Sequence, residues 1–157
     1  MIGKNIFPAL GKVAGRQDRF FQIFGDDYNT PDGTCVRDYT HVNDVARAFL
    51  SVAYWMFDQN DSITLNIGNS NPVSMKELVG VVETALGSTI DVEYTDARAG
   101  DMTQTFADIE FAKEVLGWEP TNSIQQIVDD EIKWQKTKIK KRKLWIRNGV
   151  RLLFGSP

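Results

Sequence analysis

Residues 24–48 read FGDDYNTPDGTCVRDYTHVNDVARA, and the fold turns on them. They follow Phe20-Phe21-Gln22-Ile23-Phe24, a short apolar run that reads as a buried strand. Gly25 to Gly33 then concentrates Asp, Asn, Pro and Gly, the residues that open and close tight turns. Val36 to Val42 reads as a short extended piece, and Asn43 or Asp44 is placed to cap the helix VARAFLSVAYWM that follows. A strand, a long turn-rich loop, a second extended piece and a helix thus succeed one another within forty residues.

The same alternation continues outward. Upstream, Ile6, Phe7, Leu10 and Val13 fall on one helical stripe, so residues 4–14 form a helix that ends at Gly15. Downstream, Ile63 to Ile67 is expected as a strand closed by Gly68. Ser74-x-x-Glu77 is a capping box for MKELVGVVETAL, with Gly87 in the terminating position. Ile90 to Tyr94 reads as a strand and DARAGDMTQT as a loop. Asp108 is expected to cap IEFAKEVLG, which Gly117 and Pro120 end. Ser123-x-x-Gln126 opens a last helix that runs past Trp134. The fold class is α/β, or a mixed α+β arrangement.

At 157 residues the chain has the length of one ordinary domain, 42% hydrophobic and 25% charged. No apolar run is long enough to cross a membrane, and the first ten residues do not resemble a signal peptide. A single cysteine, Cys35, excludes an internal disulfide and suits a reducing, cytoplasmic setting. One histidine and no cysteine cluster exclude the usual structural zinc sites. The net charge of −3 conceals an asymmetry. From Lys133 onward there are nine basic residues and no acidic one, whereas the first 132 residues set nine basic against 21 acidic, a net of −12.

Enzymes of this class commonly begin with a strand, a glycine-rich turn and a helix. GxGxxG, GxxGxxG and the P-loop pattern are all missing from these residues. So is a Tyr-x-x-x-Lys pair; the nearest approach, Tyr94 to Arg98, carries the wrong base. His41 has no GxSxG nucleophile to serve. No self-contained catalytic centre is legible. What the loops do carry is arginine: Arg37 before a strand, and Arg98 near Asp101 after one. Arginine can hold phosphate oxygens in a bidentate fork, Asp101 can accept from sugar hydroxyls, and Phe24 can lie against a flat base. Surface ion pairs for the arginines and a core position for Phe24 are the plainer alternative.

Several strings carry a resemblance. FGDDYNTPDGTCVRDYTHVNDVARA (24–48), LNIG (65–68), ARAGDMTQTFAD (97–108) and LGWEP (116–120) closely resemble, in order and spacing, the part of UDP-glucose 4-epimerases that follows their Rossmann half. These are extended short-chain dehydrogenase/reductases of the NAD-dependent epimerase/dehydratase family, and the resemblance covers residue 5 to about residue 135. It implies a small UDP-sugar-binding domain, residues 1–135, without the N-terminal Rossmann domain that holds NAD, so no cofactor is expected in this chain. It also implies site residues. Asn5, Arg37 and Arg98 match contacts to the diphosphate, Gln22 and Phe24 lie beside the uracil, and Asp101 meets the ribose. Thr105 stands where the family often has a large tyrosine, so a parent enzyme would tolerate N-acetylated UDP-hexoses. The family oxidises sugar C4 with NAD, turns the keto intermediate over and reduces it from the other face. The residues for that chemistry are missing here, so the chain is expected to be inactive alone.

Three readings stay open: the substrate-binding half of a UDP-sugar 4-epimerase, as a fragment or split subunit; a non-catalytic nucleotide-sugar-binding or interaction module; and the matching half of a UDP-glucuronate 4-epimerase or related enzyme. VARAFLSVAYWM is apolar nearly all round, which predicts a covering partner, either the missing half or a second copy. Residues 136–157 form a basic amphipathic tail that departs from the family. A solvated extension paired with the acidic body, a contact with an anionic membrane, and less readily a nucleic-acid contact are its three uses.

Overall fold

The computed structural model describes residues 6–14 and 20–147. Five helices and five short strands alternate: α1 (Ile6–Ala14), β1 (Phe21–Phe24), β2 (Val36–Arg37), α2 (Val42–Gln59), β3 (Val73–Ser74), α3 (Met75–Leu86), β4 (Val92–Thr95), β5 (Gln104–Thr105), α4 (Glu110–Leu116) and α5 (Ile124–Arg147). β1 and β4 pair in parallel, with Phe21 opposite Val92 and Phe24 opposite Thr95. β2 is the middle of a second small sheet, antiparallel to β3 and parallel to β5.

One core joins Leu10 of α1, Phe21 and Ile23 of β1, Leu78, Val79 and Val82 of α3, Ile90, and Val128 of α5. β1 alternates as a strand with one covered face should, burying Phe21 and Ile23 while Gln22 is exposed and Phe24 half-buried. It is therefore not buried throughout. A smaller core gathers Ala48 of α2, Ile109 and Ala112 around Trp118, with Leu65 and Ile67 against it.

Local signals hold α3 as expected. Ser74 Oγ accepts from the Glu77 N–H while the Glu77 carboxylate accepts from the Ser74 N–H, and Gly87 closes the helix at φ 66°. Gly117 ends α4 at φ 61°, Asp108 Oδ1 accepts from the Glu110 N–H, and Ser123 Oγ accepts from the Gln126 N–H. α5 runs unbroken from Ile124 through Trp134 to Arg147.

Two expectations change. His41, not Asn43 or Asp44, caps α2: its Nδ1 accepts from the Asn43 N–H. Asp44 is instead wholly buried, where its carboxylate accepts from the Thr121 N–H, the Thr121 hydroxyl, the Asn122 N–H and Arg47. The tertiary demand of the 119–122 segment outweighs the capping role. Residues 63–67, expected as a strand, join no sheet. Their exposure still alternates, with Leu65 and Ile67 turned to Trp118, but among the described residues no neighbour supplies a ladder. Beside them α2 leaves Phe49, Leu50, Tyr54 and Phe57 on one bare stripe, Phe57 being 92% exposed. No helix among the described residues is long and apolar enough to cross a membrane.

Candidate functional site

A cleft of about 540 Å³ opens where α1, the end of β1, β2 and the loop after β4 meet. That is the size of a small-molecule site. Gln22, Phe24, Arg37, Arg98 and Asp101 line it, together with Ile6, Phe7, Ile23, Cys35, Tyr39 and Met75. Five of the seven residues singled out from sequence thus share one hollow. Asn5 lies outside the described residues. Thr105 does not line the cleft; it pairs with Arg37 across β2 and β5.

Each cleft side chain has a local reason for its place. Pairing of β1 with β4 sets Gln22 opposite Glu93, and Gln22 Nε2 donates to its carboxylate at 3.2 Å. Beyond β4 the chain makes a tight turn through Gly100, at φ 85°, in which the Asp101 N–H donates to Arg98 O at 3.1 Å. That backbone bond ties Asp101 to Arg98. The Arg98 guanidinium lies over the Phe24 ring, 3.5 Å from its centroid, within cation–π reach. One nitrogen of Arg37 donates to Val36 O at 2.8 Å. Two guanidinium groups, a carboxylate and an aromatic ring on one concave surface suit a ligand with anionic, hydroxylated and flat parts.

The chemistry on view is that of holding. Burial pushes the Cys35 thiol up, against the opposing pull of Arg37, so the sulfur stays protonated. Burial also pushes Tyr39 up, and its hydroxyl reaches Met75 Sδ at 3.5 Å while Phe7 meets its ring edge-on. His41 is occupied away from the cleft, capping α2 with Nδ1 and facing Asp130 at 3.3 Å with Nε2. Among the described residues no cluster of three metal-ligating side chains occurs. Tyr39 escaped the reading from sequence, although it follows Arg37 by two residues in the same extended string and so faces the same side. Tyr28 escaped it too. Its hydroxyl is enclosed without a hydrogen-bond partner among the described residues.

Comparison with known proteins identifies the family. A family model described as GDP-mannose 4,6 dehydratase matches residues 2–131. A UDP-glucose 4-epimerase of Rhizobium leguminosarum bv. trifolii is 38% identical over 129 residues, covering 82% of this chain and 38% of the relative. A crystal structure of the UDP-glucose 4-epimerase from Stenotrophomonas maltophila, with bound NAD and formylated UDP-arabinopyranose, superposes at a TM-score of 0.86 with 37% identity, over 88% of this chain and 41% of that one. The Bifidobacterium longum enzyme in complex with NAD+ and UDP superposes at 0.80 with 32% identity, over the same shares of each chain. The chain thus spans about 40% of the length of the relatives it matches, their C-terminal part.

Proposed function

Since the chain belongs to the GDP-mannose 4,6-dehydratase family and matches the C-terminal part of UDP-glucose 4-epimerases, we propose that its cleft holds the UDP moiety of a UDP-sugar. The observation that carries this reading is the convergence of Arg37, Arg98, Asp101, Phe24 and Gln22 on one hollow. Arg37 and Arg98 grip the diphosphate, Asp101 accepts from the ribose hydroxyls, and Phe24 and Gln22 flank the base. Redox chemistry does not fit these residues. They include no glycine-rich phosphate turn and no Tyr-x-x-x-Lys pair, so NAD and the C4 oxidation belong to the remainder of a 4-epimerase. Titration with UDP tests the reading. An affinity weaker than about 0.1 mM is expected for a half-site, roughly −5.5 kcal/mol, and Arg37→Ala should abolish it. No binding by the unmodified chain, or equal binding by the variant, overturns the assignment.

The bare stripe of α2 and the unpaired 63–67 segment support a docking role for that side of the molecule. They offer an apolar helix face and strand hydrogen bonds to the cofactor-binding part of such an enzyme. Phe57→Glu should reduce self-association in light scattering while leaving the thermal midpoint unchanged; a strictly monomeric unmodified chain at high concentration argues against the surface.

The basic tail supports a second, separate reading: contact with an anionic membrane. The family match ends at residue 131, Trp134 is half-exposed, and Lys138 rests over it at 5.1 Å. Just before the tail, Lys133 pairs with Asp130 at 3.7 Å. Sedimentation with phosphatidylserine vesicles, lost at high salt, is the expected result; equal sedimentation with neutral vesicles, or none, refutes it.

A further inference from the structure

Beside the cleft stands a polar group that none of its described contacts explains. The Tyr28 hydroxyl is closed off from solvent and makes no hydrogen bond among the described residues. Buried polar groups are paired almost without exception, so a solitary hydroxyl has capacity left for a partner. The ring is placed with care. It packs over Gly25, where an added Cβ would lie 2.3 Å from Tyr28 Cε2 and 3.1 Å from Ala97 Cβ. Gly25 follows Phe24 directly, and Ala97 directly precedes Arg98. Tyr28 is thus a wedge in the notch between the two chain segments that carry the cleft residues.

The loop that presents it is braced. The Tyr28 N–H donates to Gly33 O at 2.9 Å, and the Thr30 hydroxyl donates to Thr34 O at 2.8 Å. Asp32 accepts from the Thr34 N–H and the Ser74 hydroxyl, tying the loop to the start of α3. Gly33, at φ 80°, lets the chain pass so close to Asp26 O that no side chain would fit. A loop so fixed does not leave its hydroxyl unpaired through slackness. The groups whose charges bear on it are Asp101, Cys35, Arg37 and Asp27, and burial with the negative charge of Asp101 raises the phenol's pKa, keeping it a donor.

We infer that Tyr28 is a positioning residue of the cleft, donating its hydroxyl to the Asp101 carboxylate when a nucleotide draws the Arg98–Asp101 turn inward. One carboxylate oxygen is then fixed by Tyr28 and the other faces the ligand's hydroxyls. This inference rests on the reading of the cleft as a nucleotide site and goes beyond it, since Tyr28 does not line the cleft. It also explains why Gly25 precedes the loop: any larger residue there would displace the wedge.

The experiment is a UDP titration of the full chain, followed by NMR, for Tyr28→Phe, Asp101→Ala and the double variant, with thermal midpoints for each. Removing an unpaired hydroxyl leaves the midpoint of Tyr28→Phe unchanged or higher, while its affinity for UDP falls about tenfold, as for a charge-assisted hydrogen bond. In the Asp101→Ala background, which has no side-chain acceptor left, the same change costs less than about twofold, because the route is already cut. Unaltered UDP affinity in Tyr28→Phe, a lowered midpoint that accounts for the loss, or additive losses in the double variant would each overturn the role of Tyr28 while leaving the nucleotide site standing. Failure of the unmodified chain to bind UDP overturns both.

Discussion

Replacing Asp44 by alanine should cost this domain a large part of its stability. The carboxylate is wholly buried and accepts four hydrogen bonds: from Arg47 at 2.7 Å, the Thr121 hydroxyl at 3.0 Å, and the Thr121 and Asn122 N–H groups at 3.1 Å each. Alanine leaves the part-buried Thr121 and Asn122 N–H groups without their acceptor. Breaking a buried charged network by removing one member costs about 3–5 kcal/mol, out of the 5–15 kcal/mol that stabilises a typical domain. With a urea dependence of about 2 kcal/mol per molar, the midpoint should fall by roughly 1.5–2.5 M. Trp118 offers the probe, since its indole N–H donates to Asp44 O at 3.1 Å and its ring sits in the second core. Arg47→Gln is the control: that side chain is partly exposed, and its loss should cost about 1 kcal/mol or less. A drop of under about 1 kcal/mol for Asp44→Ala would refute the claim that this carboxylate anchors the 119–122 segment.

Acid should weaken the fold along a defined course. Burial raises the pKa of both Asp32 and Asp44, but hydrogen bonds from Ser74 and Thr34 in one case, and Asn122 and Thr121 in the other, overcome it and hold both below the usual carboxylate value. Their contribution is therefore present above about pH 4 and lost as pH falls through the lower folded values; urea midpoints measured downward from pH 6 should show the decline, with a shallower slope in Asp44→Asn. Gly25→Ala should destabilise by about 1–3 kcal/mol by chemical denaturation, because φ 80° disfavours a side chain and the methyl group meets Tyr28; a neutral result would mean that the loop yields. Thr105→Tyr, in an intact epimerase carrying this half, should depress turnover of UDP-N-acetylglucosamine more than that of UDP-glucose in a coupled assay; equal effects would remove the steric argument.

What could be read from residues alone was whatever is decided within a few positions. The Ser74–Glu77 box, Gly87 and Gly117 act over one helical turn, and each stands where its spacing places it. Residues 63–67 show the limit. Ile63, Leu65 and Ile67 have a strand's alternation, but a ladder needs a neighbour, and nothing in five residues says whether one is present. Asp44 shows another: its sequence position suits a cap, yet three of its four hydrogen bonds come from residues more than seventy positions away. At the site, Arg37, Arg98, Asp101, Phe24 and Gln22 were visible through the strings that hold them. Tyr28 was not, because its interest lies in a bond it lacks.

The parallel pairing of β1 with β4 also orders events in time. Phe21 meets Val92 across an interval of about seventy residues, and such a closure is slow beside the formation of local helices. Gln22 and Phe24 ride on one strand, while Arg98 and Asp101 follow the other. During refolding, α2 and α3 can acquire their caps before those strands find each other. The cleft is then among the last things the chain makes, and any ligand affinity it has would report the end of folding rather than its beginning.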